Sequence, residues 1–181
     1  GGGSSSATIN EEKKITLKSA FEKEGFEVNT ELLEAYKTYK SGRWNSSTTL
    51  SDPDTDFYNK SGANGNTLLA NAKDFSNTAV VTISRFGSEG IDIPFTQTKH
   101  PSGKDNDRHY LELSTEEEAL INLVTDNFQN VIILINAGNQ MELGFLNNEK
   151  IDAALLVNYP GQSGTLAIPR ILKGQVNPSA K

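Results

Sequence analysis

Three strand-length runs rich in apolar residues constrain the fold of this chain more than any other feature. They span residues 78–84, 130–136 and 151–158. A continuous apolar run is typical of a strand buried on both faces, whereas a strand with one solvated face alternates apolar and polar residues. Helical patterns between the runs favour parallel strands joined by helical crossovers. We therefore predict an α/β fold in which a mostly parallel sheet carries helices on both faces, an α/β sandwich.

Polar capping residues and one glycine indicate where the helices around this sheet begin and end. The predicted ranges are 11–25, 30–41, 114–128 and a last helix that ends near residue 172. Gly25 is a natural stop for the first helix, and either Asn29 or Thr30 caps the second. Ser114 and Glu117 have the spacing of a capping box at the start of the third.

The predicted sheet is incomplete at one or both ends. A doubly wound sheet normally begins with a strand, but the first predicted element here is a helix, and residues 177–181 form a turn. We expect residues 1–10, which are Gly- and Ser-rich, to be a linker or a loop, and residues 11–181 to be part of a sandwich domain. Residues 43–76 predict a long polar connection. Within it, the acidic stretch 52–56 lacks the glycine and distal glutamate of an EF-hand, and it is expected to be a solvated turn.

Composition excludes several classes of function. The 181 residues carry a net charge of −6, which does not favour a nucleic-acid-binding surface. There are no cysteines and only two histidines, His100 and His109, so a thiolate or His-rich metal site is excluded. Both histidines lie in a polar loop and are expected to be exposed. No apolar run reaches the ~20 residues that span a membrane, and the sequence leaves the compartment open.

Glu89 is the best candidate for a catalytic group. It follows the first apolar strand and lies between Ser88 and Gly90, where the backbone can turn sharply. Ligands of open α/β sheets bind beyond the carboxyl ends of the strands. A carboxylate held there can give or take a proton at a bound substrate. Position alone also fits a solvated loop glutamate, and Asp92 fits a residue that caps a turn or pairs with Arg85 or Arg108.

Five motifs in order resemble glycoside hydrolase family 3, of the β-glucosidase type. Residues 84–92 are similar to the family segment S-R-x-x-G-E-G-x-D, and residues 110–117 to Y-x-L-S-x-E-E. Residues 131–143 resemble V-V-V-L-N-x-G-x-P-M-E-L, residues 159–164 resemble x-P-G-Q-x-G, and residues 174–179 resemble G-x-x-N-P-S. The chain departs from the family pattern at Ile93, Gln140 and Ala180.

The resemblance implies a retaining β-glycosidase in which Glu89 is the general acid/base. It places the nucleophile on a TIM-like barrel domain of the same protein, absent from this chain. Gly3 and Ser4 would belong to a glycine-rich loop near the substrate, with Asp92 as a further substrate contact. The implied partners are a β-glucoside or related carbohydrate and the barrel domain, with no cofactor, metal, nucleic acid or membrane. We expect the 181-residue chain alone to be inactive. A non-catalytic α/β interaction or scaffold module is the alternative.

Overall fold

The computed structural model of the chain describes residues 10–39, 53–85, 93, 95–96, 105 and 107–178. The helices of this part are α1 Leu17–Lys23, α2 Thr30–Thr38, α3 Thr55–Tyr58, α4 Leu68–Phe75, α5 Thr115–Asn127 and α6 Ala167–Leu172. The strands are β1 Thr78–Arg85, β2 Asn130–Ala137 and β3 Ala153–Leu156. Short 3-10 segments cover Glu11–Lys13, Ala63–Gly65, Gly144–Asn147 and Gly164–Leu166.

The strands form the predicted parallel sheet, in the order β1-β2-β3. β1 pairs with β2 along its whole length, from Thr78 opposite Asn130 to Arg85 opposite Ala137. β3 pairs in parallel with the middle of β2 and is shorter than the predicted run 151–158. The α/β class and the parallel sheet are therefore confirmed.

The main core lies between α5 and one face of the sheet. Alternate residues of β1 and β2 form this face, including Val81, Ile83, Ile133 and Ile135, each at most 5% exposed. From α5, Ile121 and Val124 pack against them. The period of two in the strands and the helical spacing in α5 thus bring two apolar surfaces together.

The opposite face of the sheet is covered only in part. Leu134 of β2 is 1% exposed, so the centre of this face is packed. In β1, however, Val80 is 39% exposed, and Thr82 and Ser84 are exposed as well. The prediction that each strand is buried on both faces was therefore wrong for β1, because one face of it is left uncovered among the described residues, and wrong for β3, where Ala153, Ala154 and Leu156 are exposed.

A second apolar cluster lies outside the sheet, in a region that was predicted to be a polar connection. α3 and α4 occupy much of residues 53–76, where Asp54 and Thr67 cap the two helices. Phe57 and Tyr58 are 2% and 5% exposed and pack against residues of α2. The prediction of a long loop is wrong for this part, because buried aromatic side chains anchor the short helices. Residues 43–52 lie outside the described residues.

Two further predictions were wrong. The helix predicted over 11–25 is a 3-10 turn followed by α1, because the Thr16 hydroxyl accepts a hydrogen bond from the Ser19 N–H and starts a new helix. Gly25, with a φ of +82°, does end it as predicted. The connection from β2 to β3 holds only the 3-10 segment Gly144–Asn147 rather than an α-helix. Within the described residues, no helix has the length and apolar character of a membrane span.

Candidate active site at the carboxyl edge of the sheet

The residues predicted to act at the site, Gly3, Ser4, Glu89 and Asp92, all lie outside the described residues, as does His100. The described chain does include the strand that leads to two of them, because β1 ends at Arg85. All three parallel strands end on the same side of the sheet. We call this end of the sheet the carboxyl edge. Its geometry forms the described part of the candidate site.

Arg85, the last residue of β1, is held by a dense set of acceptors and is 7% exposed. Its guanidinium donates two hydrogen bonds to the carboxylate of Glu117, each of 2.6 Å. It also donates to the backbone carbonyls of Tyr110, at 2.9 Å, and Glu112, at 2.5 Å. The guanidinium carbon lies 5.7 Å from the centre of the Tyr110 ring. The end of β1 is thereby tied to α5 and to the segment that precedes it.

Glu117 serves both the ion pair and the start of α5. Its carboxylate accepts a hydrogen bond of 2.8 Å from the Ser114 N–H, and its own N–H donates to the Ser114 hydroxyl at 3.1 Å. This is the capping box that the sequence predicted. A buried charge pair is stable only where good geometry and further hydrogen bonds offset the loss of hydration. Both conditions are met at Glu117.

A second group of charges fixes the segment before α5. Asp105 is 0% exposed, and its carboxylate accepts hydrogen bonds from the N–H and the hydroxyl of Thr115. Arg108 lies 3.1 Å from the same carboxylate and also donates to Glu118 at 2.8 Å. The hydrogen bond to Glu118, together with the nearby negative charges, raises the pKa of Arg108. His109 is exposed, as predicted.

Sequence reasoning missed the buried roles of Arg85, Glu117 and Asp105. The Ser114–Glu117 spacing predicted the cap but not the ion pair, because Arg85 and Glu117 are 32 positions apart in the chain. Asp105 was one of several charges in a polar loop, and only the fold shows which of them is buried. No group of three or more His, Asp or Glu residues in the described ranges could hold a metal ion.

The ends of β2 and β3 are also joined at the carboxyl edge. The amide of Asn136 in β2 donates a hydrogen bond of 2.5 Å to the carbonyl of Asn158, just after β3. The phenol end of Tyr159 rests against Gly138, where a Cβ would lie only 2.1 Å from the ring atom Cε2. Tyr159 itself is 60% exposed. A polar turn and an exposed aromatic ring therefore lie at the same edge as the end of β1.

Comparison with known proteins identifies the domain. The sequence of residues 1–181 matches the family model for the glycosyl hydrolase family 3 C-terminal domain. β-Glucosidase A of Butyrivibrio fibrisolvens is 31% identical over 126 residues, which are 63% of this chain and 15% of that protein. A β-glucosidase of Ruminococcus albus is 33% identical over 114 residues, which are 63% of this chain and 11% of that protein.

A solved structure supports the fold assignment. A β-glucosidase from Paenibacillus barengoltzii superposes with a TM-score of 0.52 at 28% identity, covering 63% of this chain and 12% of that one. The chain thus spans less than a sixth of the length of the curated relatives described above. Since the family model matches its whole length, this chain belongs to glycosyl hydrolase family 3 and matches the C-terminal domain of that family.

Proposed function

We propose that this chain supplies the general acid/base of a retaining β-glycosidase of the β-glucosidase type, and that Glu89 is that residue. The observation that carries the proposal is the placement of Glu89 in the chain. In the sequence it comes four residues after Arg85, the anchored last residue of β1, and β1 ends at the edge of the sheet where ligands of such folds bind. The named relatives are β-glucosidases, which supports a β-glucoside as the substrate.

Retaining hydrolysis requires two carboxyl groups about 5–5.5 Å apart, on opposite sides of the bond that breaks. One attacks the anomeric carbon, and the other protonates the departing oxygen and then deprotonates the incoming water. Glu89 would take the second role. The first would fall to an Asp on a barrel domain of the same protein, outside this chain.

Gly3, Ser4 and Asp92 are proposed as substrate contacts. For Asp92, the sequence also allowed an ion pair with Arg85 or Arg108. Both arginines have other carboxylate partners: Glu117 binds Arg85, and Asp105 and Glu118 bind Arg108. In the proposed site, Asp92 would accept a hydrogen bond from a sugar hydroxyl.

A comparison of two substrates with different leaving groups tests the role of Glu89. In the full-length protein that carries this chain, Glu89→Gln should lower kcat/KM for cellobiose by about 10²–10⁴-fold, because the departing hydroxyl then lacks a proton donor. For 2,4-dinitrophenyl β-glucoside, whose leaving group needs no proton, kcat/KM should change by less than about tenfold.

The exposed Glu149, between β2 and β3, offers a matched control. Glu149→Gln should leave both rates unchanged. An equal loss for both substrates in Glu89→Gln, or an unchanged rate for cellobiose, would reject the acid/base role. A full-length wild-type protein without any glycosidase activity would instead support the scaffold alternative.

A further inference from the structure

Tyr159 is an exposed aromatic residue whose ring packs against the backbone of the neighbouring strand. The residue is 60% exposed, yet the phenol end of its ring fits against the backbone of Gly138. A Cβ at position 138 would lie 2.1–2.4 Å from Cε2, Cζ and the hydroxyl oxygen of this ring, closer than any real contact. Only glycine at position 138 lets the ring occupy this place.

The turn that carries Tyr159 is fixed to the neighbouring strand by two hydrogen bonds at the residues just before the ring. Before it, the N–H of Val157 donates to the carbonyl of Ile135 at 2.8 Å, which extends the ladder of the sheet beyond β3. Asn158 has a φ of +50°, an unusual conformation for a residue with a side chain, and its carbonyl accepts the bond from Asn136. The ring is therefore preorganised before any ligand arrives.

The location of Tyr159 relates it to the proposed chemistry. β3 lies two strands from β1, so Tyr159 is roughly 10 Å across the carboxyl edge from the end of β1. That span is comparable to the length of a disaccharide. Ligand sites are lined by aromatic side chains with a few polar groups, and the C–H face of a pyranose packs well on an exposed aromatic ring.

We propose that Tyr159, seated on Gly138, forms a platform for the aglycone sugar of a β-linked disaccharide or longer oligosaccharide. The ligand class is a pyranoside aglycone, so the inference rests on the proposed function and adds a residue that determines substrate preference. A substrate with a sugar as its aglycone would use the platform, and one with a methyl aglycone would not reach it.

The full-length protein provides the test, with cellobiose and methyl β-glucoside as the two substrates. Tyr159→Ala should lower kcat/KM for cellobiose by about tenfold, because one stacking contact is lost. The same variant should change kcat/KM for methyl β-glucoside by less than about twofold. Tyr159→Trp should keep the preference for cellobiose, because it retains an aromatic face.

Gly138→Ala supplies an independent route to the same result. Its methyl group displaces the ring, so this variant should lose the same preference, and it should have no further effect in the Tyr159→Ala background. Phe75, at the end of α4 before β1 begins, is 45% exposed and lies at the opposite end of the sheet. Phe75→Ala is the matched control and should leave both substrates unaffected.

An equal loss of kcat/KM for both substrates in Tyr159→Ala, with a lower Tm, would overturn the proposal and assign the ring to a contact with another domain. An unchanged preference for cellobiose would overturn it as well. Hydrolysis of methyl β-glucoside by the wild-type protein distinguishes a failure of the Tyr159 platform from a failure of the proposed function. If that activity is present and depends on Glu89, a negative result at Tyr159 rejects the platform alone.

Discussion

At the scale of single residues, the end of β1 depends on one buried ion pair. Arg85 and Glu117 are 7% and 5% exposed, and their two hydrogen bonds join the last residue of the strand to the first turn of α5. Removing one member of such a pair leaves the other charge buried without compensation, which costs more than removing both.

Arg85→Met in the 181-residue chain should therefore lower the free energy of unfolding by about 3–5 kcal/mol, measured by urea denaturation. The double variant Arg85→Met, Glu117→Leu should recover part of this loss, because no charge is left buried, although the cap on the Ser114 N–H and the hydrogen bonds to the Tyr110 and Glu112 carbonyls stay lost. Lys150→Met, which breaks the exposed pair with Asp126, should cost less than about 1 kcal/mol. A double variant that is less stable than either single variant would contradict this account.

The carbonyls that surround Arg85 explain why sequence alone did not reveal its role. They come from Tyr110 and Glu112, and the carboxylate comes from Glu117, all brought to the strand by the fold. A local motif such as the capping box of Ser114 and Glu117 is visible in the sequence, because its two members are one helical turn apart. A partnership between a strand end and a distant helix has no such spacing.

At the scale of elements, periodicity predicted long segments well and short ones poorly. β1, β2 and α5 are long enough to show a clear pattern, and all three lie where the sequence predicted them. α3 has only four residues, and its stability comes from the packing of Phe57 and Tyr58 against α2, which a local pattern cannot show. For α4, the signal was present: Thr67 caps a run rich in Leu and Ala.

Two phenylalanines test whether residues 53–76 are folded. Phe57 is 2% exposed and Phe75 is 45% exposed, although both belong to short helices of this region. Phe57→Ala should lower the free energy of unfolding by about 3–5 kcal/mol because it leaves a cavity. Phe75→Ala should cost less than about 1 kcal/mol. If urea denaturation showed equal and small losses of stability for both variants, residues 53–76 would be the polar loop that the sequence predicted.

At the scale of the whole molecule, the described part of the chain positions the residues of the carboxyl edge. α5 covers one face of the sheet, and the Arg85–Glu117 ion pair fixes the strand end that precedes Glu89. The ends of β2 and β3 contribute Asn136, Gly138 and Tyr159 to the same edge. The apolar runs and the helical patterns between them sufficed to predict the α/β class and the parallel sheet. The arrangement of the edge required the fold, since its members come from three separate strands.

Chemical rescue tests the central claim most directly, that Glu89 is the acid/base of a retaining glycosidase. In the full-length protein with Glu89→Ala, 2,4-dinitrophenyl β-glucoside should still form the glycosyl-enzyme, whose hydrolysis is slow without a base to activate water. Azide needs no base, so it should raise kcat by about tenfold or more. The product, identified by NMR, should be β-glucosyl azide. A rate that azide does not change, or an α-glucosyl azide product, would contradict the account.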